Sequence, residues 1–161
     1  MADDTKNATL RSVLKLGTYA VKAERAATVL DSTVEVAAGA STGSTYTFAR
    51  IPTNARIHGS SRIAGDILDA TANTPTLDLG FKAVDGNFTT SVTALNDGID
   101  LSGTAFDVRL LKDIATSGKM VWEILGLTSD PGGLADVTGT ILDFAAAAGG
   151  TLTLTLVYSV D

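Results

Sequence analysis

The chain has no cysteine, one histidine, one tryptophan and three prolines in 161 residues. Without cysteine there are no disulfides, no thiol nucleophile and no cysteine-ligated zinc, although the compartment stays open, because a thiol-free chain suits reducing and oxidising surroundings alike. The single histidine, His58, falls in the polar phase of its segment beside Arg56 and Arg62. It reads as a surface residue, and a multi-histidine metal site or a histidine-based triad has nothing to be built from. Basic residues are also scarce, 12 Lys and Arg against 18 Asp and Glu, for a net charge of -6. Phosphate binding is driven by clustered Lys and Arg, so no nucleic-acid partner is expected. Aromatic residues make up 6% of the chain, which leaves little for the exposed ring platforms on which sugars stack. No segment has the long uncharged apolar run of a signal peptide or a membrane span. The expectation is a soluble protein with no membrane partner, made in the cytoplasm.

What is plentiful is Ala, Val, Ile and Leu for the interior and Thr, Ser and Gly for everything else. At this length roughly two-thirds of the unfolded surface can be buried, so neither metal nor disulfide is needed for stability. Threonine on the outward phase of alternating runs, with regularly spaced glycine, favours an all-β fold over a helical enzyme.

The most informative stretch is Thr45 to Leu68. Tyr46 and Phe48 alternate with Thr45, Thr47 and Ala49, the period that a half-buried strand imposes. Ile51-Pro52-Thr53-Asn54 then turns the chain, with proline presetting φ and asparagine tolerating the turn's closing conformation. Ile57, Gly59, Ser61, Ile63, Gly65 and Ile67 form the apolar or small phase of the second run. The pair reads as a hairpin, with Tyr46, Phe48, Ile57, Ile63 and Ile67 in the core.

Elsewhere, residues 1–27 show no sustained period and read as an extended N-terminal arm that orders against a partner, ahead of a sandwich domain spanning 28–161. Leu30, Val34 and Val36 mark a first strand. Leu77, Leu79 and Phe81 mark another, joined through Val84-Asp85-Gly86-Asn87 to a hairpin partner that ends at Asn96-Asp97-Gly98. Phe106, Leu110 and Ile114 recur every four residues after Thr104 and suggest a short helix on a sheet edge. Met120, Trp122 and Ile124 suggest a strand over 119–125, Leu127 to Asp136 a loop, and Val137 to Phe144 the penultimate strand. The last run, Thr151 to Val160, alternates without a break and belongs inside a sheet. About eight strands with one short helix correspond to a single-domain, jelly-roll-like β-sandwich with an N-terminal arm.

No catalytic constellation emerges. Ser117-Gly118-Lys119 matches the end of a phosphate-binding loop, but Asp113 stands where the earlier glycine is required. Asp66, Asp69 and Asp78, and the pair Asp97 and Asp100, lack the alternating oxygen ligands of a calcium loop. Aspartates in turns usually bond local backbone. No Gly-x-Ser-x-Gly elbow is present. The chain is read as a non-enzyme with no cofactor and no metal.

Arg50 to Ile57, RIPTNARI, resembles a pattern in small virion proteins of tailed bacteriophages and gene transfer agents, where an aromatic strand enters a turn of the form (R/K)-(I/L)-P-x-x-A-R-(I/V). Leu77 to Phe81 (LDLGF), Lys119 to Glu123 (KMVWE) and the ending Thr151 to Asp161 resemble further motifs of those proteins in the same order. The similarity spans Thr45 to Asp161. It implies a head-associated structural protein on the outside of the capsid, made in the host cytoplasm, with the major capsid protein as partner. It also implies a homo-oligomer, a trimer being favoured. On that reading the partner-binding candidates are Leu10, Arg11, Val13, Leu14, Lys15 and Leu16 in the arm, then Arg50, Arg56 and Arg62. Arg50 and Arg56 have a plainer reading, as partners of nearby carboxylates. A host-attachment fibre with a carbohydrate-binding sandwich is the alternative, and a carboxylate-based hydrolase the third.

Overall fold

Alternating apolar and small polar residues build two facing sheets, because each strand can bury one phase only against another layer. The computed structural model describes residues 5–7, 9–16, 27–69 and 74–160, with side chains from residue 27 onward. The strands are β1 (Thr5–Asn7), β2 (Thr9–Leu16), β3 (Ala27–Val36), β4 (Thr45–Pro52), β5 (Ala55–Ile57), β6 (Arg62–Gly65), β7 (Thr76–Ala83), β8 (Ser91–Asp100), β9 (Phe106–Arg109), β10 (Leu134–Leu142) and β11 (Gly150–Val160). A 3-10 turn at Ile114–Thr116 and one short helix, α1 (Val121–Ile124), lie between β9 and β10. Sheet I has the order β1-β4-β10-β7-β8; sheet II has β2-β3-β11-β6-β9, with β5 also on β11. All pairs are antiparallel except β1 with β4. The expected all-β sandwich is the observed one.

The core follows the phases read from the sequence. Leu152, Leu154 and Leu156 of β11, Leu77, Leu79 and Phe81 of β7, and Tyr46, Ile57 and Ile63 are all fully buried. In sheet II one row runs Ser32, Leu154, Ile63, Val108 across β3, β11, β6 and β9. In sheet I, Gly139 pairs with both Tyr46 and Leu79. A Cβ there would stand 3.0 Å from Phe48 and Leu77 side-chain atoms, so the missing side chain makes room for its neighbours. A bulge between Val137 and Thr138 reverses the phase of β4, which is why Phe48 and Ala49 are both buried while Arg50 faces out.

The stretch Thr45 to Leu68 is a corner and not a hairpin. β4 lies in sheet I, and after the turn at Thr53-Asn54 the chain enters sheet II as β5 and β6, both on β11. Pro52 fits the end of a strand that must stop donating backbone bonds. Between β5 and β6 the Ser61 hydroxyl accepts from the Val157 N–H (2.9 Å) and donates to the Val157 carbonyl (3.1 Å). His58 donates its backbone N–H to the same carbonyl at 2.9 Å. Ser61 thus completes a ladder that the chain interrupts. Ser61→Ala would leave the Val157 N–H without its acceptor, and a loss of about 1–3 kcal/mol is expected in denaturant unfolding. Ile67, expected in the core, is exposed at 37%, because β6 ends at Gly65 and the alternation ends with it.

Two expected elements exchange character. The segment expected as a helix after Thr104 contains β9, paired with β6, followed by the 3-10 turn. A spacing of four is also an even number, so it fits a strand as readily as a helix, and Ile114 is in fact exposed. The segment expected as a strand over 119–125 contains α1. There Glu123 Oε2 accepts the Met120 N–H at 2.7 Å, the arrangement of a helix start, and Gly126 at φ +72° ends the turn. β10 begins at Leu134, inside the expected loop, and β8 continues through Gly98 to Asp100. Short elements such as β5 and β6 raise the strand count above eight.

Candidate interaction surfaces

Three arginines were singled out by the sequence, and the fold places them apart. Arg50, on the outer face of sheet I, donates Nε and Nη2 to the Asp136 carboxylate at 2.6 and 3.0 Å. β10 brings Asp136 opposite Arg50 in register. This two-pronged bond, then the charge of Asp136, raises the Arg50 pKa further above its ordinary value. Arg62, on the outer face of sheet II, donates Nε to Asp107 of β9 at 2.7 Å, with the same effect on its pKa. Arg56 sits at the corner, where Nη1 donates to the Gly118 carbonyl at 3.0 Å and lies 3.9 Å from Glu123. The carboxylate partners expected for Arg50 and Arg56 are therefore present.

Of the arm candidates, Leu10, Arg11, Val13, Leu14, Lys15 and Leu16 all lie in β2, antiparallel to β3, with a register shift between Leu10 and Ser12. Their side chains fall outside the described residues. Among the described residues β2 is an edge strand of sheet II, as β9 is at the other side, and an edge is the position from which a sheet can extend to another chain.

The corner is laced by the 110–133 segment. Ile57 N–H donates to the Lys119 carbonyl, Gly118 N–H to Ile57, and Trp122 N–H to Thr53, at 2.7–3.2 Å. Thr53 Oγ1 donates to Asp130 Oδ1 at 2.5 Å. His58 Nε2 is 3.1 Å from Ser159 Oγ, a satisfied and half-buried histidine. This wrapping leaves no mark in the sequence, since its bonds are mostly backbone and join positions far apart along the chain. Among the described residues the large exposed apolar ones, Ile67, Val92, Ile114, Leu134, Phe144 and Val160, are spread over six separate segments. Only their burial distinguishes them from core residues.

Asp78 of β7 is buried, at 4% exposure, and accepts the Gly98 N–H at 2.8 Å. Burial raises its pKa; the Gly98 bond and Lys112 oppose this, and the charges of Asp97 and Asp143 add to it. With the folded value above the unfolded one, the folded state holds the proton more tightly. Asp78 therefore favours folding most when protonated, and that contribution is lost as pH rises from the ordinary carboxylate value through the folded one. Asp78→Asn, which keeps an acceptor for Gly98, is expected to stabilise the protein at neutral pH. The gain should vanish below the carboxylate range, as read from urea midpoints across pH.

Among the described residues no group of three His, Cys, Asp or Glu could hold a metal, and no helix is long and apolar enough to cross a membrane.

No protein-family model and no curated protein matches the chain. Two solved structures do. A chain of the cyanophage Pam1 capsid asymmetric unit superposes with a TM-score of 0.59 at 17% identity, covering 92% of this chain and 94% of that one. A chain of the capsid of Ralstonia phage GP4 superposes with a TM-score of 0.54 at 19% identity, covering 90% of each. The sandwich is similar to theirs in fold along nearly its whole length.

Proposed function

We propose that this chain is a non-enzymatic virion structural protein, which binds the outside of a tailed-phage capsid lattice and stabilises the head. The observation that carries the reading is end-to-end similarity to chains in two phage capsid structures, 92% and 90% of this chain. The motifs around Arg50 to Ile57, Leu77 to Phe81, Lys119 to Glu123 and Thr151 to Asp161 support the same reading independently. An acidic, cysteine-free sandwich without a catalytic cluster is compatible with it.

The mechanism is mass action. A protein that binds the assembled shell and not its free subunits stabilises the shell, by about 2.7 kcal/mol per site at a free concentration one hundred times Kd. The major capsid protein is the partner. Leu10, Arg11, Val13, Leu14, Lys15 and Leu16 supply contact from the β2 edge, to the lattice or to a neighbouring copy in a homo-oligomer, with a trimer favoured. Arg50 and Arg62 lie on the outer faces of different sheets, so one flat contact engages only one of them. Either arginine would have to share its aspartate to do so.

Heads made without this chain provide the test. Purified protein is expected to co-sediment with them to saturation and to raise the temperature at which they rupture. Absence of co-sedimentation with both expanded and unexpanded heads would sink the proposal.

A further inference from the structure

The chain contains two Asp-Gly steps, Asp85-Gly86 and Asp97-Gly98; both are exposed, and they differ in what holds the glycine N–H. Asp97-Gly98 lies within β8, and the Gly98 N–H is held by the buried Asp78 carboxylate at 2.8 Å. Asp85-Gly86 lies in the 84–90 turn between β7 and β8, and both residues are exposed. Among the described residues the Gly86 N–H has no hydrogen-bond acceptor. A Cβ placed on Gly86 would meet nothing within 4 Å, so nothing crowds that glycine, and the same is true of Gly98.

We infer that Asp85 is a site of spontaneous isomerisation to isoaspartate, and that the Asp78 bond protects Asp97 from the same reaction. The Gly86 backbone nitrogen gives up its proton and attacks the Asp85 Cγ. A C–N bond forms, a carboxyl oxygen leaves as water, and a cyclic succinimide results. Water then adds to one of its two carbonyls. Addition at the Cα side leaves the backbone running through the former side chain, whereas addition at the other side restores aspartate. Water is lost and regained, nothing is oxidised or reduced, and the mass is unchanged.

The reaction needs a nitrogen free to approach Cγ, which glycine permits best because it has no side chain and rotates freely. The turn at 84–90 provides that freedom; a strand whose N–H is held by a carboxylate does not. The product would matter locally. Asn87 Nδ2 donates to the Gly132 carbonyl, and Gly133 packs against the Asp85 and Asn87 side chains. One methylene added to the backbone two residues before Asn87 therefore shifts the seam between this turn and the 130–133 loop.

The full-length protein, aged in warm neutral buffer and mapped by electron-transfer fragmentation, tests this. Isoaspartate is expected at 85 at a rate about tenfold or more above that at 97, the factor by which holding a charge-assisted hydrogen bond depletes the open form. The same chain aged in urea should convert both sites at similar rates, and Asp85→Glu should abolish the signal at 85 alone. Equal conversion at both sites in the folded protein would overturn the inference. So would an unmodified Asp85 in a sample whose urea control converts.

Discussion

Gly80→Ala is expected to lower the melting temperature by about 10 °C or to prevent folding altogether. A Cβ at this position would run into the Ser91 carbonyl oxygen and the Val92 backbone, where β8 bulges between its pairings of Asn96 with Leu79 and Ser91 with Phe81. These are main-chain atoms and have no alternative rotamer, so relief requires β8 to move as a unit. Overpacking a core commonly costs about 1–3 kcal/mol, and a backbone collision belongs at or beyond the top of that range. Differential scanning calorimetry reads the effect directly. A variant as stable as the parent would mean that the bulged part of β8 does not approach Gly80 so closely.

The neighbouring residue fails for the opposite reason. Phe81 is fully buried on the other phase of β7, opposite Val137 of β10. Phe81→Ala removes a ring from between the sheets and leaves a cavity that the close-packed strands cannot fill. A loss of about 3–5 kcal/mol is expected from urea unfolding, a large share of the roughly 5–15 kcal/mol that holds a domain together. One dipeptide therefore contains a position that tolerates nothing larger and a position that tolerates nothing smaller. Strand alternation turns the two faces to different neighbours.

Much of the architecture was legible because period-two alternation survives in sequence. β3, β4, β7 and β11 were each anticipated from such runs, and Leu152, Leu154 and Leu156 are as buried as the phase of β11 requires. Partner choice is a different matter. Nothing local to Pro52 says whether the chain turns back onto its own sheet or crosses to the facing one, because both routes need the same turn chemistry. The missing bonds around Val157 give the crossing away only after the fold is known, when Ser61 is seen filling them. The four residues of α1 and of β9 are ambiguous in sequence for a related reason. A window that short satisfies both periods, and long-range packing decides between them.

The surfaces were less legible than the core. Arg50 and Arg62 stand out as charges, but their pairs with Asp136 and Asp107 depend on register between strands far apart in the chain. Ile114 reads as a residue packed on a sheet edge, and its exposure follows from where the 3-10 turn lies. A partner-facing surface is marked by what it leaves uncovered, and a sequence does not show what is uncovered.

The proposed place of this sandwich is the outside of a phage shell. Cryo-electron microscopy of heads made with and without the chain tests it most directly. The expected difference map shows density the size of one sandwich per site on the outer surface, repeating with the lattice and present only when the chain is supplied. Identical shells, or extra density confined to the interior or the tail, would contradict it.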